Sequence, residues 1–189
     1  MARRQVYWKI LLILTMPLMA LIGMLIKLDS SGPVIFQQQR LGYNNRVFNV
    51  YKFRTMHVSA EPGVIQATRN DPRITRLGQY LRRLSLDELP QLVNVLRGEM
   101  SLVGPRPHAI EHNFAFASEI DEYFARHNLK PGITGWAQIH GLRGEVDTPD
   151  KIRARTEHDI YYVDHWSLWL DLRILAMTLR VIWFHQTAY

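Results

Sequence analysis

The hydrophobic pattern divides the chain unevenly. Residues 10–26, ILLILTMPLMALIGMLI, carry no charge, and only Thr15, Pro17 and Gly23 interrupt the aliphatic run. A helix of that length reaches about 25 Å, slightly short of a hydrocarbon core of about 30 Å. Pro17 sits at its centre, where a proline removes one backbone hydrogen bond and bends the helix. A segment that enters one leaflet, bends and returns therefore suits the pattern as well as a span does. Arg3, Arg4 and Lys9 before the run and Lys27 after it fit a segment with both ends on the positive-inside face. No small-residue cleavage site follows, so it does not read as a removed signal peptide. A buried core helix is the alternative, and the lack of any polar face on the segment counts against it.

After the turn cluster at residues 29–33, residues 34–38 and 47–53 read as two short strands joined through Gly42, Tyr43, Asn44 and Asn45, a hairpin signature. Residues 57–72, broken by Pro62, Gly63, Asn70 and Pro72, read as a surface loop. Residues 74–84 read as a basic helix carrying Arg76, Arg82 and Arg83. Next come Leu89, Leu92, Val93 and Leu96 at helical spacing, stopped by Gly98. The start of this helix is ambiguous, since Ser85 with Glu88 fits a capping box while Pro90 suits a first helical position. Residues 100–103 read as a strand, and Gly104-Pro105-Arg106-Pro107 is too stiff to continue it. Residues 110–126 return to helical periodicity with a solvated charged face, and residues 130–144 form a glycine-rich loop around Trp136, Gln138, His140 and Arg143. Residues 148–162 read as a helix with a Thr-Pro-Asp start and a mixed, solvated charge set. The tail, residues 166–184, is strongly apolar with Trp166, Trp169, Trp183, Arg173 and Arg180, which suits a helix lying on a membrane surface; a core helix of the soluble body is the competing reading.

Composition narrows the function classes. With no cysteine among 189 residues, disulfides, thiol catalysis and cysteine zinc sites are excluded. The net charge of +6 calls for an anionic partner, and the apolar first segment favours a membrane or phosphorylated substrate over nucleic acid, for which no motif is present. Candidate chemistry gathers at Asp87 and Glu88. A helix start would favour their ionised form, and Arg76, Arg82 and Arg83 lie just upstream. Lys52 and Arg54 emerge at the end of the second strand, and Arg106 is held on stiff backbone. Carboxylates beside several cations are the ingredients of phosphoryl transfer, although surface salt bridges and a charge-capped helix would look the same.

Taken in order, KLDSSGPVIFQQQRLG, YKFRTM, RRLSLDELPQLVNVLRGEMSLVGPRP and KPGITGWAQIHG resemble the bacterial sugar transferases, the monotopic phosphoglycosyl transferases, over essentially the whole chain. The C-terminal third is similar to the subgroup that starts exopolysaccharide synthesis with a hexose phosphate, typically from UDP-glucose. Many members carry an extra membrane region that this chain lacks, so it looks like a catalytic module alone. The resemblance implies an α+β, mainly helical fold with a reentrant N-terminal membrane helix (residues 1–29), a short β-hairpin, and an interfacial C-terminal helix. Residues 30–189 would be the catalytic domain on the cytoplasmic face of the bacterial inner membrane, one unit with the membrane segment.

It further implies transfer of a sugar 1-phosphate from a UDP-sugar to undecaprenyl phosphate, with Asp87 as nucleophile, Glu88 as ligand to Mg²⁺, and UMP released. Lys52, Arg54, Arg82, Arg106, Gln138 and Arg143 are the expected phosphate and substrate contacts. UDP-galactose, an N-acetylated UDP-sugar, or a non-catalytic scaffold of the polysaccharide machinery are the alternatives, and homo-oligomerisation is left open. Met16 stands where the family often has Ser, Leu84 where Thr is common, Arg76 where Pro is common, and His140 where Asn is common.

Overall fold

The computed structural model describes residues 2–58, 68, 71–142, 144 and 148–184, with side chains described from residue 11 to residue 181 except His112. Its elements run α1 (Ala2–Asp29), β1 (Ile35–Leu41), β2 (Val47–Phe53), α2 (Arg76–Arg83), α3 (Gln91–Leu96), β3 (Ser101–Val103), α4 (Ile110–Ala117), β4 (Gly132–Thr134), α5 (Trp136–Ile139), α6 (Pro149–Asp164) and α7 (Leu168–Phe184), with 3-10 turns at Tyr43–Asn45, Leu86–Glu88 and Tyr123–Asn128. The fold is α+β and mainly helical, as the resemblance implied.

The first segment is one helix that continues through Pro17. Proline supplies no N–H, and near this defect the Thr15 hydroxyl bonds back to the carbonyls of Leu11 (2.9 Å) and Leu12 (3.0 Å). The stretch Leu11–Asp29 is long and apolar enough to cross a membrane. Ile13, Leu14, Met16, Leu21, Met24 and Leu28 are exposed, so a core helix is not what this segment is. Ile22 and Ile26, one turn apart, are the exceptions: they are buried with Phe53 of β2 and Leu81 of α2. Arg54, just past β2, donates to the Ser30 carbonyl (2.7 Å) and hydroxyl (3.1 Å), fastening the exit of α1 to the hairpin.

β1 and β2 pair antiparallel from Ile35↔Phe53 to Leu41↔Val47. The outer edge of β2 is covered by one side chain of α3. Asn94 is fully buried, donates to the Asn49 carbonyl (2.7 Å) and accepts from the Tyr51 N–H (3.2 Å), standing in for a neighbouring strand. Gly98, at φ +76°, ends α3 where expected.

Several expectations are corrected. Ser85 adopts a left-handed conformation and its hydroxyl caps nothing, so there is no capping box; a 3-10 turn carries the acid pair and Pro90 precedes α3. The helix expected over residues 110–126 stops after Ala117, and Glu122 at φ 60° turns the chain into a 3-10 turn. Its Arg126 is buried rather than solvated, as are Arg155 and Asp159 of α6. Their positions explain this: Ile152, Arg155, Asp159 and Tyr162 recur at helical spacing, so the charges fall on the face turned inward. The glycine-rich loop contains β4, which pairs in parallel with β3 (Ser101↔Gly132, Val103↔Thr134), and the short α5. Gly132 permits that pairing, since a Cβ there would lie 2.1 Å from the Gly104 nitrogen.

α7 packs Ile174 into the core with Val103, Ile139 and Tyr162, while Leu168, Trp169, Leu172 and Leu179 are exposed. One helix thus combines features of both readings, a core stripe on one side and an apolar surface on the other.

Candidate active site

Asp87 and Glu88 lie in the 3-10 turn between α2 and α3, both buried, and the hairpin and the β3–α4 turn each bring a cation to them. Lys52, the penultimate residue of β2, places Nζ 3.1 Å from Glu88 Oε1. Arg106 donates from Nη2 to Oε1 (2.5 Å) and from Nη1 to Oε2 (3.3 Å), gripping Glu88 with both arms. Asp87 is treated differently. Its carboxylate accepts no hydrogen bond and forms no ion pair among the described residues.

The electrostatics follow from burial. Desolvation, reinforced by the neighbouring Glu88 charge, raises the Asp87 carboxyl above its ordinary range, while Lys52, Arg106 and Arg82 pull it back. This corrects the expectation that a helix start favours ionised Asp87: burial and Glu88 outweigh the local cations, and the carboxyl is raised. Burial also lowers the Lys52 ammonium to about 8, an effect that Glu88 opposes and Arg106 assists.

Of the expected contacts, Lys52 and Arg106 touch the acid pair and Arg82 acts on it electrostatically. Arg82 is oriented by the Thr55 hydroxyl (2.9 Å) and the Met56 sulfur (3.3 Å). Arg54 is turned to Ser30 instead. Gln138 is buried in α5 and donates to the Ile133 carbonyl (2.9 Å). Arg143 lies outside the described residues.

Sequence reasoning missed the groups that build the Arg106 turn. Four successive carbonyls there are bound: Pro105 by the Gly132 N–H (2.9 Å), Arg106 by Arg126 Nη2 (2.6 Å), Pro107 by Arg40 Nη1, and His108 by Asn113 Nδ2 (3.0 Å). The available signal for Asp159, which pairs with Arg126, was its place on the inward stripe of α6; nothing local marked Arg40 or Arg126.

Among the described residues no group of three or more His, Cys, Asp or Glu side chains could hold a metal. Two adjacent carboxylates are nevertheless a fitting donor set for Mg²⁺, which commonly binds one or two protein carboxylates and completes its shell with substrate phosphates and water.

The family model for the bacterial sugar transferases matches residues 5–185. The chain belongs to that family. It is 51% identical over 185 residues to an undecaprenyl-phosphate glucose phosphotransferase of Komagataeibacter xylinus, with 95% of this chain and 35% of the relative covered. It is 49% identical over 181 residues to a UDP-glucose:undecaprenyl-phosphate glucose-1-phosphate transferase of Escherichia coli, covering 95% of this chain and 39% of the relative. It is 48% identical over 168 residues to a UDP-N-acetylgalactosamine-undecaprenyl-phosphate N-acetylgalactosaminephosphotransferase of Aeromonas hydrophila, covering 88% and 39%. The chain therefore spans little more than a third of the length of these relatives.

Proposed function

We propose that this bacterial sugar transferase moves a hexose 1-phosphate from a UDP-sugar, UDP-glucose first among them, to undecaprenyl phosphate, the opening step of exopolysaccharide synthesis. The observation that carries the reading is the division within the acid pair: Glu88 is held by Lys52 and Arg106, whereas Asp87 is buried, adjacent and uncommitted. An uncommitted carboxylate beside several cations is suited to attack an anionic phosphorus, because the cations offset the repulsion between the two anions.

In the first half-reaction an Asp87 oxygen attacks the phosphorus bearing the sugar. The P–O bond to the second phosphorus breaks, and its electron pair leaves with UMP. In the second, a phosphate oxygen of undecaprenyl phosphate attacks the same phosphorus, and the bond to Asp87 breaks to restore the carboxylate. Lys52, Arg106 and Arg82 spread the charge that builds on the transferring group. Glu88 would hold Mg²⁺, and the ion would supply charge neutralisation to the diphosphate. Arg106 bridges Glu88 and the phosphates.

On this reading α1 is reentrant and the site lies at the cytoplasmic leaflet, where the lipid acceptor presents its phosphate; the apolar Leu11–Asp29 stretch supports the membrane attachment this needs. The similarity to an N-acetylgalactosamine transferase at 48% identity supports one alternative, the same reaction with an N-acetylated UDP-sugar. The test is Asp87→Asn with a panel of UDP-sugars and Mg²⁺. The substitution is expected to lower UMP release in the absence of any lipid acceptor on the order of 10³-fold or more, the scale of removing a covalent nucleophile. A variant that still releases UMP sinks the nucleophile assignment.

A further inference from the structure

We infer that Arg126 and Arg40 are positioning residues for the sugar-phosphate transfer: they hold the Gly104–His108 turn from behind, and so set where the Arg106 guanidinium meets Glu88 and the substrate diphosphate. The inference rests on the proposed function and adds to it two side chains that act through the backbone of the Arg106 turn.

Arg126 is almost completely buried. Its Nη2 donates to the Arg106 carbonyl (2.6 Å) and to the Asp159 carboxylate, and its Nη1 donates to His108 Nδ1 (2.7 Å) and the Tyr123 hydroxyl (2.9 Å). The two arms therefore straddle Pro107. Arg40, reaching across from β1, donates to the Pro107 carbonyl between them and pairs its other arm with Gln38 Oε1 (2.7 Å). The Tyr123 hydroxyl lies 2.6 Å from His108 Nδ1 and 3.0 Å from Asn113 Oδ1, so its one proton serves either of these acceptors, and Asn113 Nδ2 donates to the His108 carbonyl. A guanidinium can only donate, so His108 Nδ1 is the acceptor, in keeping with a ring whose pKa is driven well down by burial and by the surrounding arginines.

A buried ion pair such as Arg126–Asp159 is a weak source of stability, because desolvating both charges offsets their attraction. The pair is better explained by what it delivers, a fixed donor on the backbone carbonyl of Arg106 itself. Two prolines stiffen the same turn and contribute no N–H of their own. Small displacements of a phosphate-binding group are costly to transfer rates, on the order of 10²-fold for 1 Å.

The test is a double-mutant cycle on the full chain in detergent, with kcat and KM for UDP-glucose read from UMP release and melting followed in parallel. Arg126→Lys keeps a cation for Asp159 but cannot straddle Pro107, and Arg40→Gln removes the donor to Pro107. Each is expected to lower kcat/KM by about 10-fold or more, and by less than about twofold when Arg106 is already Ala, since a lost position cannot be lost twice. Equal losses in the two backgrounds would make Arg126 and Arg40 general scaffold and overturn the inference, as would an unchanged kcat/KM in both single variants. Should Arg126→Lys fail to fold, the Arg40→Gln arm decides alone. If Arg106→Ala retains full activity while Asp87→Asn abolishes UMP release, the inference fails and the proposed reaction stands; if neither variant affects UMP release, the reaction fails with it.

Discussion

Asp87 illustrates how a single side chain carries opposed demands. Its carboxyl is raised mainly by burial and by Glu88, so the folded chain binds its proton more tightly than the unfolded chain does. The sign is that of a destabilising carboxylate. Stability is highest below the unfolded carboxyl range, falls as pH rises through the raised folded value, and stays reduced at neutral pH. Asp87→Asn is therefore expected to raise the melting temperature at pH 7, by about 2–4 °C for each kcal/mol relieved, and to show little gain in acid; thermal unfolding at several pH values reads this directly. Lys52 titrates in the other direction, with an ammonium lowered to about 8 by desolvation. The free enzyme loses this cation as pH rises through that value, so kcat/KM for the UDP-sugar is expected to fall on the alkaline side near pH 8. Lys52→Arg, which stays charged, should remove that limb.

At the scale of elements, the site is assembled by short connectors rather than long helices. The acid pair sits in a 3-10 turn, Lys52 near the end of a two-stranded hairpin, and Arg106 in the turn after β3. Asn94 holds the first two of these together, since it binds the Asn49 carbonyl and the Tyr51 N–H on the open edge of β2 beside Lys52. Asn94→Ala leaves the Tyr51 N–H and the Asn49 carbonyl without this partner, at a cost of about 1–3 kcal/mol for each buried unsatisfied group. Urea unfolding should show the loss, and KM for the UDP-sugar should rise with it because the hairpin no longer registers with α3.

Much of this arrangement was legible in the residue pattern. Hairpin, α2, α3 with its glycine stop and β3 all follow from period and punctuation, which are local. The parallel β3–β4 pairing was not, because it joins residues 101–103 to 132–134 inside what reads as a loop. The buried Arg126 and Asp159 escaped for a related reason: charged side chains default to solvent, and only a partner distant in sequence makes burial tolerable.

For the whole molecule, α1 has to serve two solvents. Most of its length presents aliphatic side chains outward, whereas Ile22 and Ile26 enter the core with Phe53 and Leu81, and the neighbouring Arg54 binds Ser30 at its exit. The globular body therefore has no complete core without the last turns of the membrane helix, and β2, which bears Lys52, is fixed to the same joint. Large-to-small changes at the joint remove packed contacts and leave a cavity, at about 2–5 kcal/mol for Ile→Ala. Changes on the outward face only alter contact with lipid or detergent. Ile26→Ala is accordingly expected to lower the unfolding midpoint in detergent and to reduce UMP release at temperatures where the wild-type chain is intact. Leu14→Ala, 72% exposed in the parent, should do neither. Equal melting of the two variants would mean that α1 is only an anchor, with the catalytic body folding independently of it.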